Sequence, residues 1–128
     1  MGVLKYSRQR ESIKEFLSGR TDHPTADMVY VNIRKSYPNI SLGTVYRNLS
    51  LLESLGEVRK LSCGDGAERF DPNTEPHYHF VCRECGCVQD IPMTPLEELE
   101  TKASEFFEGS IESHTAMFFG LCGRCQKA

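Results

Sequence analysis

Two Cys-x-x-Cys pairs, Cys82/Cys85 and Cys122/Cys125, stand thirty-six residues apart near the end of this 128-residue chain. Each pair can close a chelate ring on one ion. Together they offer four thiolates, the full tetrahedral complement of Zn²⁺, with no position left for a substrate. The fold must therefore return the end of the chain to residue 82, and the ion ties the two ends of the second half together. Two metal-free thiol pairs or a redox pair are the bland alternatives, because unligated cysteine is a good small hydrophobe. A disulfide framework is disfavoured by compartment. The start, MGVLKYSRQRES, lacks the apolar stretch of a signal peptide, and no run of eighteen apolar residues appears, so a soluble cytoplasmic protein is expected. Cys87 lies beside the first pair and either replaces Cys85 or is a bystander; Cys63 falls in a predicted turn and reads as an exposed thiol.

The stretch HYHFVCRECG, residues 77 to 86, adds two histidines to the first pair. If it is extended, alternation turns His77 and His79 one way and Cys82 the other, so one stretch feeds two sites. Asp71 and Asp90 lie close in sequence, and His23 stands at the entry to a predicted helix. Imidazole with carboxylate is a harder ligand set than thiolate and suits Fe²⁺, Mn²⁺ or Zn²⁺ in an exchangeable site. Alone, His-x-His is often merely solvated and a histidine before proline is more often a capping or surface residue. The metal reading needs a fold that gathers these donors.

Three helical patterns fill the first half. Residues 8 to 18 carry Ile13, Phe16 and Leu17 on one side and stop at Gly19. A second helix starts with Thr25 as N-cap and ends before Pro38; a third starts at Ser41, repeats Leu42, Val45, Leu49, Leu52 and Leu55, and stops at Gly56. EVRKL and AERFD then read as strands around a turn at Gly64, Asp65 and Gly66, the element order of a winged helix-turn-helix. Beyond DPNTEP the pattern predicts strands at 77 to 82, 87 to 91 and 110 to 121, with a helix from Pro95 to Glu108 capped by Thr94 and Glu97. The expected class is α+β: a winged-helix domain at 1–72, a hinge at 73–76, and a small α/β domain at 77–128. Charge divides at the same place. Residues 1–71 hold eleven Lys/Arg against nine Asp/Glu, and residues 72–128 hold four against nine. Such a split suits a nucleic-acid module joined to something else.

On the third helix the apolar stripe leaves Gly43, Thr44, Arg47, Asn48 and Ser50 outward, with Tyr46 near the edge and Ser41 at the start. Arginine can pair with guanine, asparagine with adenine and tyrosine with phosphate, so the face is chemically fit for the major groove. It is equally the composition of an ordinary solvated helix face. Arg59, Lys60 and Arg69 on the predicted wing are candidates for backbone phosphate.

His23-Pro24-Thr25-Ala26-Asp27, Ser41-x-x-Thr44-Val45-Tyr46-Arg47-Asn48-Leu49, Arg69-Phe70-Asp71, His77-Tyr78-His79 and the two cysteine pairs, in this order, resemble the ferric uptake regulator family across nearly the whole chain. Aspartates at 71 and 90 look like the peroxide-sensing repressor branch. The resemblance implies a structural zinc on Cys82, Cys85, Cys122 and Cys125, and a regulatory Fe²⁺ or Mn²⁺ on His23, Asp71, His77, His79 and Asp90. A further family site is incomplete here: Pro76 and Tyr78 stand where iron sensors use histidine and aspartate, leaving Glu97 and His114, so His114 is expected to be structural. The implied protein is a homodimeric, metal-dependent repressor of a palindromic DNA operator, paired through its second half, with no membrane partner and no small-molecule substrate other than peroxide as signal. Its regulatory ion clamps the two halves, and peroxide releases the clamp through iron-catalysed oxidation of His23 or His77. The alternative is an iron- or manganese-responsive uptake repressor without peroxide sensing. A zinc-ribbon interaction module without DNA binding and a metallohydrolase are remoter readings, the latter lacking any sign of a substrate pocket.

Overall fold

The structure, a computed structural model, describes residues 7–63 and 67–127. The chain divides into two compact units, Met1–Thr74 and Glu75–Ala128. The order of elements in the first is α1 (Arg8–Leu17), α2 (Ala26–Ile33), α3 (Leu42–Ser54), β1 (Arg59–Ser62) and β2 (Glu68–Asp71). Each helix is started by a hydroxyl that accepts from an otherwise orphaned amide: Ser7 from Arg10 N, Thr25 from Met28 N and Ser41 from Thr44 N. Their apolar faces meet in one core of Ile13, Leu17, Val29, Ile33, Ile40, Val45, Leu49, Leu52, Val58 and Phe70. Burial of each such side chain is worth about 1.5–3 kcal/mol, so this unit has its own driving force. The stripe on α3 is narrower than expected. Val45, Leu49 and Leu52 are buried, but Leu42 and Leu55, at the two ends of the helix, are exposed. β1 and β2 form an antiparallel hairpin with Arg59 opposite Asp71 and Ser62 opposite Glu68. The predicted turn at Gly64, Asp65 and Gly66 lies outside the described residues. Cys63, expected to be exposed, is buried at 4% accessibility.

The second unit is a three-stranded sheet in the order β4-β3-β5, from β3 (Tyr78–Cys82), β4 (Val88–Ile91) and β5 (Met117–Gly120). β3 lies antiparallel to β4 and parallel to β5. The last strand is far shorter than the expected 110–121. β5 pairs with β3 only from Met117↔His79 to Gly120↔Cys82, with the Ala116 carbonyl accepting from His79 N at 3.3 Å, and β3 has five residues to offer, so residues 110–115 find no place in its ladder. Helix α4 (Glu98–Ser104) is likewise half the expected length, and Thr94 does not cap it. The amide of Leu96 donates instead to the Tyr78 hydroxyl at 2.8 Å, holding residues 92–97 in another path. A short final helix, α5 (Gly123–Lys127), was not anticipated: five residues are too few to show a period. Gly123 opens that helix and does not provide a turn, whereas Gly86, at φ +75°, does provide one. Neither α4 nor α5 buries a residue. Among the described residues no helix is long and apolar enough to cross a membrane.

Candidate functional site

The antiparallel turn between β3 and β4 positions the first cysteine pair. Cys82 ends β3, the amide of Gly86 closes back on its carbonyl at 3.0 Å, and the positive φ of Gly86 permits the tight return. On the other side, β5 delivers Cys122, and the first turn of α5 places Cys125 one helical turn later. The four Sγ atoms lie within 4.8 Å of one another. Cys85 and Cys122 sulfurs are 3.8 Å apart, and tetrahedral Zn–S bonds of about 2.3 Å set ligand sulfurs about 3.8 Å from each other. Backbone amides converge on the sulfurs, Cys122 N on Cys82 at 3.4 Å and Cys125 N on Cys122 at 3.5 Å. The amides of Cys85 and then Cys122 hold the Cys82 thiol down at about 6, while hydrogen bonding to Cys122 and burial push Cys125 up to about 12. The first thiolate is thus welcomed and the last resisted, the behaviour of crowded sulfurs whose joint ionisation calls for a cation. The donor set fits Zn²⁺.

The nitrogen and oxygen donors divide between the units. In the first, β2 pins the loop before α2: Phe70 N donates to Pro24 O at 2.9 Å, Thr25 bridges to Arg69, and Arg69 Nη1 donates to the carbonyl of His23 at 3.2 Å. His23 takes φ +51°, a left-handed conformation, and its Nε2 lies 3.4 Å from Asp71 Oδ2, with both residues fully buried. Asp71 Oδ1 accepts from Asn73 N at 2.9 Å, which fixes the carboxylate. In the second unit, His79 of β3 and His77, the residue just before that strand, lie together with ring centroids 4.3 Å apart. Their Nε2 atoms are 3.2 and 3.4 Å from Asp90 Oδ1, which β4 brings opposite His79. His77 Nδ1 lies 2.6 Å from the Glu75 carbonyl; a carbonyl only accepts, so Nδ1 carries a proton, and Nε2 is the ring atom turned toward Asp90. These N···O separations exceed the roughly 2.7–2.9 Å of a charge-assisted hydrogen bond. They match the roughly 3.0–3.4 Å between neighbouring ligands that sit about 2.1 Å from one cation. Each unit thus presents donors spaced for a harder ion than the thiolates select, and Fe²⁺ or Mn²⁺ fits them.

The Ferric uptake regulator family profile matches residues 2–119. The chain belongs to this family. The Peroxide-responsive repressor PerR of Staphylococcus aureus (strain Mu50) is 36% identical over 123 residues, which is 96% of this chain and 83% of that protein. Among solved structures, the Helicobacter pylori ferric uptake regulator Fur, described as having three functional metal binding sites, aligns with TM-score 0.83 and 26% identity over 98% of this chain and 84% of its own. The Campylobacter jejuni peroxide stress regulator aligns with TM-score 0.75 and 29% identity over 91% and 88%. The architecture is therefore the family's α+β one, a winged helix-turn-helix unit followed by a small α/β unit, and its members are DNA-binding transcriptional regulators that form dimers.

In the winged-helix unit, the Ser41 and Thr44 hydroxyls are 2.9 Å apart, Ser41 caps α3 by accepting from Thr44 N at 3.1 Å, and Asn48 donates to the Thr44 carbonyl at 3.1 Å. Gly43, Tyr46 and Arg47 are exposed, and Arg59 and Lys60 are half-buried on β1. Lys60 is 3.8 Å from Glu53 and 3.5 Å from Glu68, and the Tyr46 hydroxyl donates to Glu68. Arg69, expected on the phosphate face, donates to the His23 loop. The role of Glu68 was missed because its partner lies twenty-two residues away and no local pattern marks it. The residues His114 and Tyr78 form a further cluster. Tyr78 Oη lies 2.5 Å from His114 Nε2, and His114 Nδ1 bonds Glu100, so Glu100 is the partner of His114 where the sequence had pointed to Glu97. A cavity of about 600 Å³ opens beside it, lined by Pro76, Thr94, Glu97, Glu100, Glu112 and His114 among others.

Proposed function

We propose that this protein is a metal-dependent DNA-binding repressor of the peroxide-sensing branch. Zn²⁺ on Cys82, Cys85, Cys122 and Cys125 holds the second unit together, and Fe²⁺ or Mn²⁺ on His23, Asp71, His77, His79 and Asp90 is the regulated ligand. The observation that carries the reading is the repeated imidazole–carboxylate separation of 3.2–3.4 Å at His23/Asp71, His77/Asp90 and His79/Asp90, cation-sized in every case. Similarity to a peroxide-responsive repressor at 36% identity supports the branch. Because the donors come from both sides of residues 73–76, loading the ion stiffens that hinge and converts metal affinity into DNA affinity by linkage.

Ser41, Thr44, Tyr46, Arg47 and Asn48 would face the major groove, and Arg59 and Lys60 the phosphates. Phe106, Phe107, Phe118 and Phe119 are all exposed on the second unit, Phe106 at 89%, which supports pairing through that unit on a two-fold operator. Iron held by these residues would supply redox chemistry toward peroxide. A ring carbon of His23 or His77 would take one oxygen atom from H2O2 while the other leaves as water, so that the imidazole is the net two-electron donor; the modified ring is a poorer ligand, and the hinge loosens. A labelled palindromic duplex titrated with and without Mn²⁺, then with the iron-loaded protein before and after peroxide, tests this. The expected result is metal-dependent binding that peroxide abolishes only in the iron form, with the added oxygen on a peptide holding His23 or His77. Metal-dependent binding that survives peroxide would favour the second reading, an iron- or manganese-responsive repressor, which the structural likeness to a ferric uptake regulator supports.

A further inference from the structure

A carboxylate sits where DNA phosphate is expected. Glu68 opens β2, and its side chain accepts the hydroxyl hydrogen of Tyr46 from α3 while standing 3.5 Å from the ammonium of Lys60 on β1. Lys60 also lies 5.8 Å over the Tyr46 ring, whose edge contact with Phe70, 6.3 Å between centroids, anchors it to the core. Recognition helix and wing therefore meet at one anion. Hydrogen bonding to Glu68 holds the Tyr46 phenol above its ordinary value, and the same bond lowers the Glu68 carboxyl. Tyr46 is 40% exposed, so the arrangement lies at the surface that would approach a duplex.

We propose that Glu68 competes with DNA phosphate for Tyr46 and Lys60, so that duplex binding must displace a built-in anion. This rests on the DNA-binding reading given above. A tyrosine reaches phosphate by donating its single O–H, and a lysine by neutralising charge. The first is already spent on Glu68, and the second is shared between Glu68 at 3.5 Å and Glu53 at 3.8 Å. A phosphate oxygen must therefore exchange for a carboxylate oxygen, and the gain per contact is reduced by what is given up. The displaced carboxylate also stays nearby, adding repulsion that salt screens. The protein is thereby kept from clinging to any duplex through these two residues alone, and its affinity depends more heavily on contacts elsewhere on α3.

Glu68→Gln keeps an acceptor for Tyr46 but removes the charge, and is the direct test. With Mn²⁺-loaded protein and a duplex of random sequence, the expected result is roughly two- to fivefold tighter binding at low salt, the scale of one exposed ion pair. A plot of log affinity against log salt should steepen by about one phosphate contact. Lys60→Met in the Glu68→Gln background should cancel the steepening. A readout independent of DNA is the ring-carbon NMR titration of Tyr46, which should move back toward an ordinary tyrosine in Glu68→Gln; Glu68→Ser serves as a second variant for the same measurement. Weaker binding by Glu68→Gln would make Glu68 a positioning residue and overturn the proposal, as would unchanged affinity and slope. If the unaltered metal-loaded protein binds no duplex, the functional reading itself falls; if it binds and the variants behave alike, only this inference does.

Discussion

The two units are held by different means. The first packs three helices and Phe70 of the hairpin around ten buried apolar residues. In the second, the buried set is Tyr78, His79, Val81, Cys82, Val88 and Cys122, and neither helix contributes to it. Several of its large apolar residues point outward. A unit of this size with so thin an interior depends on a staple, and the staple here is the thiolate cage. The difference teaches where each unit is vulnerable, the first to loss of volume and the second to loss of an ion.

The largest expected effect follows from the cage. Cys82→Ser, or stripping by a strong chelator, should unfold the second unit, since structural zinc supplies about 10–16 kcal/mol of apparent folding energy in small domains. Amide exchange should then show β3, β4 and β5 unprotected while α1, α2 and α3 remain protected. Protection that survives zinc removal in the sheet would break the comparison. Next comes Phe70→Ala, which empties the centre of the other core and should cost about 3–5 kcal/mol in urea denaturation, with the sheet unit unaffected.

The smallest effect concerns His114. Its hydrogen bond holds the Glu100 carboxyl below the ordinary value. A depressed carboxyl contributes stability that is present above its unfolded pKa and disappears as pH falls through its folded one. Acidification through the region below about 4.5 should therefore weaken the second unit a little in the unaltered protein, and His114→Ala should flatten that part of the profile. Melting temperature against pH, followed by a signal from the sheet, checks the sign. An unchanged profile would mean that the pair adds nothing to this unit.

What could be read from the sequence was what is decided locally. Ser7 lay outside the sequence expectations, but Thr25 was legible as a cap and Ser41 as a helix start, because a cap and its amide are three residues apart. The cysteine cage was legible because chelate spacing reports the ion directly. That His77 and His79 share a side followed from strand alternation alone, whereas the carboxylate they both face was implied only by the family resemblance. What failed was decided at a distance. β5 is cut short by the length of its partner, and α4 loses its first turn to a hydroxyl on another strand. Tyr78 read only as a lost ligand, yet its hydroxyl joins Leu96 and His114, eighteen and thirty-six residues away. Neither the Glu68 contact nor the Arg69 brace of the His23 loop has a periodic signature.

β3 carries both kinds of donor, His79 on one side and Cys82 three residues later, about 10 Å along a single stiff strand. Damage at the sulfur end is therefore felt at the imidazole end. An electrophile that alkylates the thiolates would melt the ledge on which His77 and His79 rest, and so scatter the nitrogen donors without ever touching them.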